Sequence, residues 1–67
     1  MNGTITQIIG PVVDVQFESQ VPAIKNALVY TGKNGDVTLE VASHIGANRV
    51  RAIAMADTSG MKRGEPV

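Results

Sequence analysis

Apolar and polar residues alternate with a period of two over much of this chain. The clearest case is the run Val37 to Ala42, where Val37, Leu39 and Val41 alternate with Thr38, Glu40 and Ala42. Successive side chains of a strand point to opposite faces, so the pattern predicts a strand with one face buried. A second run, Arg49 to Met55, follows the link Ser43-His44-Ile45-Gly46-Ala47-Asn48. Gly46 and Asn48 tolerate positive φ, so the link reads as a hairpin loop between two antiparallel strands. Val12 to Phe17 alternates as cleanly, with Val13, Val15 and Phe17 on one side and Val12, Asp14 and Gln16 on the other. Thr4 to Ile9 is also β-rich. Simple alternation puts Thr4, Thr6 and Ile8 on one face and Ile5, Gln7 and Ile9 on the other. Gly10-Pro11 ends this run, because proline cannot donate to a ladder. Ala27 to Thr31 is a further strand. The segment Lys33-Asn34-Gly35-Asp36 then predicts a tight hairpin centred on Asn34-Gly35, since a type I′ turn needs positive φ at both central residues. If so, Gly35→Val strains the turn.

The connections are short. Glu18 to Asn26 is the least regular and contains Pro22, which forbids a central strand there. Its apolar residues Val21 and Ile24 read either as plugs at one end of the core or as a partner contact. Asp57-Thr58-Ser59-Gly60 fits a type I turn. Met61-Lys62-Arg63-Gly64 leads into Glu65-Pro66-Val67, the beginning of a last strand. The fold class is therefore all-β: a small six-stranded, antiparallel-rich β-barrel whose closure depends on that last strand. Closure suits so short a chain because it removes exposed edges.

Composition narrows the possibilities. At 67 residues the chain is one domain, and a chain of this size buries only about 60% of its unfolded surface. It has no cysteine and a single histidine, so neither a disulfide nor a structural zinc site is expected. Six basic and six acidic residues cancel, which offers no pull toward nucleic acid or an anionic membrane. No run has the pattern of a signal peptide or the length of a membrane span. An aqueous location, inside the cell or facing another aqueous compartment, is the expectation.

Candidate chemistry is sparse. There is no G-x-x-x-x-G-K-[ST] phosphate loop, no G-x-G-x-x-G, and no Ser/His/Asp set placed for acyl transfer. No catalytic, cofactor-binding or metal-binding residue is assigned. His44 reads as a solvated loop residue. Asp14 and Glu40 both fall on outward faces and read as solvated, since acid–base pairs need a cleft that separates their pKa values. Arg49 and Arg51 share a strand face with Ile53 and Met55. One reading is a groove for single-stranded nucleic acid, but such grooves stack bases on aromatics over a positive surface. This chain has one Phe, one Tyr and no net charge. A second reading makes Arg49, Arg51, Ile53 and Met55 a subunit contact. The plainest reading leaves Ile53 and Met55 as ordinary exposed apolar residues.

Three blocks carry a resemblance: GTITQIIGPVVDVQF (Gly3 to Phe17), VPAIKNAL (Val21 to Leu28) and LEVASHIGANRVRAIAM (Leu39 to Met55). Asp57-Thr58-Ser59-Gly60 and Arg63-Gly64 follow at matching spacing. In this order they resemble the N-terminal β-barrel domain of the beta subunit of F-type ATP synthase. The block ending in VRAIAM fits beta better than alpha. The resemblance implies a barrel over residues 1–67 that joins alpha-subunit barrels in a crown ring, with the chain stopping before the nucleotide-binding domain. It implies no activity for this stretch, and no direct contact with membrane or nucleic acid. The parent subunit would bind ATP or ADP with Mg²⁺ and couple proton-driven rotation to ATP synthesis or hydrolysis. It would form the soluble part of a membrane-associated complex, on the cytoplasmic side of a bacterial inner membrane or in an organelle matrix or stroma. The alternative is a free-standing barrel that binds single-stranded nucleic acid. An incomplete sixth strand would leave an edge open, with the first strand expected to flank it, so self-association is a further expectation.

Overall fold

A computed structural model of the chain describes residues 3–32 and 35–67. Five strands form: β1 (Gly3–Ile9), β2 (Val12–Phe17), β3 (Ala27–Gly32), β4 (Gly35–Gly46) and β5 (Arg49–Ala54). They make one five-stranded sheet in the order β1-β2-β5-β4-β3, every neighbouring pair antiparallel. Among the described residues no second layer covers the sheet, so it curls and buries its apolar face against itself. The expected all-β barrel architecture holds, as an open half-barrel of five strands. The C-terminal segment lies along β1: Thr4 bridges Pro66, Ile5 N–H donates to Glu65 O at 2.9 Å, and Val67 N–H donates to Gly3 O at 3.0 Å.

Rows of paired residues across the strands build the core. Ile8, Val13, Ala52 and Val41 lie in one such row, and Ile5, Val15 and Val50 in the next. Phe17, Leu39, Tyr30, Ala54 and Met61 complete the buried cluster. Removing a side chain of the size of Phe17 or Leu39 from water is worth roughly 1.5–3 kcal/mol. Close approach sets one strict requirement. A Cβ at Gly3 would lie 2.3 Å from the Val15 side chain and 2.9 Å from the Phe17 ring, so only glycine fits there.

The regular alternation is broken where bulges enter. The register between β1 and β2 shifts between Ile5 and Gln7, which makes Thr6 the extra residue. Ile5 and Ile8 therefore both turn inward, whereas Gln7 and Ile9 stay exposed. This corrects the expectation that Ile5 shares a face with Gln7 and Ile9, because a bulge resets the parity of every later residue. Two further shifts in β4, at Ala42 and Ile45, let its ladder with β5 run on to Gly46. Ser43 to Gly46 is thus strand rather than loop, and the connection shrinks to Ala47-Asn48. Both of these residues have positive φ, 53° and 60°, as a type I′ turn demands. The turn is tied down on β2: Gln16 Nε2 donates to Ala47 O at 2.8 Å, and Phe17 N–H to Asn48 O at 2.8 Å.

Other turns depart from expectation by a residue. The C-terminal turn closes from Met61 N–H to Thr58 O at 2.9 Å, one position later than expected. Asp57 acts just before it, its carboxylate accepting Ser59 N–H at 3.0 Å. In the β3–β4 hairpin Gly35 pairs with Gly32 at the strand ends; the expected turn residue Asn34, with Lys33, lies outside the described residues. Val21 packs on the core as a plug, while Ile24 is exposed.

The C-terminal segment also touches the far side of the sheet. The Tyr30 hydroxyl donates to Glu65 Oε1 at 2.9 Å and contacts Gly60 O at 3.2 Å. The hydrogen bond to Glu65, then burial, then the negative charge of Glu65 all raise the pKa of the phenol.

Two predictions follow from these contacts. Ala47 occupies the left-handed region at a cost of about 1–2 kcal/mol, and the added freedom of a glycine in the unfolded chain costs about 0.4–1 kcal/mol. Ala47→Gly is therefore expected to raise the denaturation midpoint slightly. Gly35→Val, at φ 117°, should cost about 1–2 kcal/mol. Urea titration checks both signs. The second prediction concerns pH. Tyr30 is the sole tyrosine and tryptophan is absent, so tyrosinate absorbance reports this group alone. Its folded pKa lies above the unfolded value, so the stabilisation is complete below pH ~10 and is lost as pH rises through the folded pKa. Tyr30→Phe should remove this alkaline component. A phenol that titrates at the ordinary value would contradict the contact.

Candidate functional site

The outer face of the sheet carries the residues that the sequence offers as a subunit contact. Three rows of outward residues cross its strands. The first runs Ile9, Val12, Ile53, Glu40 and Ala27; the second Gln7, Asp14, Arg51 and Ser43; the third Thr4, Gln16, Arg49 and Gly46. Parity along β5 alone places Arg49, Arg51 and Ile53 together, and all three are exposed. Met55 lies just beyond the strand and is 58% exposed. Its N–H is held by Thr38 O at 2.8 Å.

The first row is apolar for three strands. Ile9 is 62% exposed and Ile53 37%, with the half-buried Val12 between them. Beside this row, Gln7, Ile9, Val12, Asp14 and Arg51 line a shallow hollow of about 270 Å³. The hollow is floored by an ion pair. Arg51 Nε donates to Asp14 Oδ1 at 3.0 Å, and Arg51 Nη2 to Asp14 Oδ2 at 3.2 Å. Two parallel bonds of this kind fix the orientation of the guanidinium as well as its position. The hydrogen bonds, and then the charge of Asp14, raise the Arg51 pKa further above its ordinary value.

This corrects the reading of Asp14 as a solvated carboxylate. Its side chain is only 8% exposed, against 48% for Arg51. The Arg51 guanidinium holds both of its oxygens. Asp14 does not face Glu40 either, because β5 lies between β2 and β4 and Glu40 pairs with Ile53. His44 is likewise not in a loop. It lies in β4, and its Nε2 approaches Pro22 O at 2.7 Å, so this nitrogen carries the proton and the imidazole ties β4 to the connection before β3. Among the described residues, no group of three or more His, Cys, Asp or Glu could hold a metal ion. No helix among them is long and apolar enough to cross a membrane.

Sequence reasoning missed Ile9, Val12 and Asp14 as neighbours of the β5 residues. Each has the right parity, but parity does not say which strand lies alongside which.

This arrangement defines a small antiparallel β-barrel domain with a partly apolar outer face. The chain belongs to the ATP synthase alpha/beta family: the model of that family's beta-barrel domain matches residues 5–67. The family resemblance and the barrel fold expected from the sequence are thereby borne out.

The ion pair yields a prediction. Arg51→Ala leaves a nearly buried carboxylate without its counter-ion, which costs more than losing an exposed charge. The denaturation midpoint of Arg51→Ala should fall below that of Arg49→Ala. The double variant Asp14→Ala/Arg51→Ala should lie close to Asp14→Ala alone. Equal midpoints for the two arginine variants would show that the pair contributes nothing.

Proposed function

We propose that this domain is the N-terminal barrel of a beta subunit of F-type ATP synthase, and that its task is assembly. The observation that carries this is the uncovered row Ile9, Val12 and Ile53 beside the oriented Asp14–Arg51 pair. An apolar strip flanked by a fixed charge pair has the make-up of a docking surface with a polar rim. The partners are alpha-subunit barrels in a crown ring, and Arg49, Arg51, Ile53 and Met55 are the contact residues, joined by Ile9 and Val12. The stretch ending Val50-Arg51-Ala52-Ile53-Ala54-Met55 supports beta over alpha.

Catalysis belongs to the parent subunit. That subunit binds ATP or ADP with Mg²⁺ and couples proton-driven rotation to ATP synthesis or hydrolysis, as the soluble part of a membrane-associated complex. The barrel holds the ring while the nucleotide domains open and close. Binding of single-stranded nucleic acid is the weaker reading: Phe17 lies in the core and Tyr30 is buried with its hydroxyl on Glu65, so neither ring is placed to stack on a base.

Reconstitution of the hexamer from alpha subunits and beta subunits carrying Ile53→Glu tests the proposal. A buried carboxylate at the centre of a contact should weaken association roughly tenfold or more. Assembly at wild-type concentrations by both Ile53→Glu and Ile9→Glu would rule out this face. The isolated chain should show no ATP hydrolysis above a blank with Mg²⁺. A salt-sensitive oligonucleotide titration would instead favour the nucleic-acid reading.

A further inference from the structure

The ion pair leaves one edge of the Arg51 guanidinium unused. Arginine carries five N–H donors in a fixed plane. Nε and one hydrogen of Nη2 go to Asp14. The other edge, Nη1 with the second hydrogen of Nη2, meets no acceptor among the described residues. Asp14 holds the group in one orientation, so this edge is a fixed fork for a second planar acceptor. The local charges point the same way. Strands β1, β2 and β5 carry Asp14, Arg49 and Arg51 and no other charged residue. Arg49 lies two positions before Arg51 on the same outer face, opposite the neutral Gln16. Among the described residues, Glu18, just past β2, and Glu40, opposite Ile53 on β4, form no ion pair with either arginine. One acid thus faces two bases. The hollow beside them has an apolar wall, Ile9 and Val12, and a polar one, Gln7 with the ion pair. Its occupant must be aliphatic at one end and an acceptor at the other.

We infer that the partner segment on this face carries an aspartate or glutamate beside an aliphatic residue. Its carboxylate lies on the open edge of Arg51, and its aliphatic side chain fills the hollow against Ile9 and Val12. The inference rests on the reading of this face as the alpha-subunit contact, and it names what the alpha subunit must bring there. Two residues span about 7 Å of strand, so one carboxylate reaches both guanidinium groups. Two acids then balance two bases, as charges closed off from water require. A carboxylate offers two oxygens to the fork, whereas a main-chain carbonyl offers one. A nucleic-acid phosphate would suit the two arginines, but it would set its charge beside Asp14 and leave Ile9 and Val12 against a polar chain.

The hexamer reconstituted from full-length alpha and beta subunits tests the inference. Arg49→Lys keeps the charge and puts a primary amine at the site. A carbodiimide condenses that amine with a touching carboxylate; an amide forms and the carbodiimide takes up the water as a urea. Peptide mapping should find position 49 joined to an aspartate or glutamate of the alpha subunit. Arg49→Gln should weaken assembly roughly fivefold and lessen its dependence on salt. Val12→Thr keeps the shape of the hollow but makes its wall polar, and should weaken assembly without changing the salt dependence. All three variants leave the Asp14–Arg51 pair in place, and their amide spectra check the fold. If Ile53→Glu blocks assembly while salt, Arg49→Gln and Val12→Thr leave it unchanged, the contact stands and the acidic, aliphatic occupant is overturned. A cross-link from position 49 only to its own subunit, or displacement of the alpha subunit by an oligonucleotide, overturns it too. Indifference to Ile53→Glu and Ile9→Glu as well would overturn the contact itself.

Discussion

The described residues form a single sheet that must bury its apolar face on itself, and the rest of this structure follows from that constraint. The inward rows through Ile5, Val13, Val15, Leu39, Val41, Val50 and Ala52 can meet only if the sheet bends. Antiparallel strands bend where bulges add a residue to one side of a ladder, and the register shifts in β1 and β4 are such places. Gly3 serves the same end by letting β1 approach Val15 and Phe17 without a side chain between them.

A curled sheet gains most when its ends are tied, and the chain ties them with hydrogen bonds as well as with apolar residues such as Met61 and Val21. The Ala47-Asn48 turn is bound to the end of β2. His44 reaches the carbonyl of Pro22, and Thr58 Oγ1 donates to Gly10 O at 2.8 Å. Tyr30 meets Glu65 across the opening between β3 and the last segment. These contacts join residues far apart in sequence, so they form only after the strands have paired. They stabilise one curvature among several that the apolar rows would tolerate.

The same constraint shapes the outer surface. Curling exposes the convex face, where Ile9, Val12 and Ile53 line up beside Asp14 and Arg51. That face offers apolar area and an oriented charge pair.

Local periodicity determined much of the fold from sequence alone. The alternation of Val13, Val15 and Phe17, and of Val37, Leu39 and Val41, places those residues inside because a strand has only two faces. The neutral charge and the scarcity of aromatics pointed away from nucleic acid, and the three blocks pointed to the family. Parity also grouped Arg49, Arg51 and Ile53. What parity could not show was the order of strands. That β2 lies beside β5 was decided by the curl of the whole sheet, and it is this adjacency that turns Asp14 from a solvated acid into the buried partner of Arg51. Bulges were invisible for a related reason. An extra residue at Thr6, Ala42 or Ile45 follows from fitting one strand's length to its neighbour's curvature, and its own side chain carries no mark of it. The sequence thus determined which residues are inside wherever alternation runs unbroken, and the tertiary structure alone decided where bulges reset it and which of the outer residues are neighbours, because neighbours across strands are set by long-range pairing rather than by local pattern.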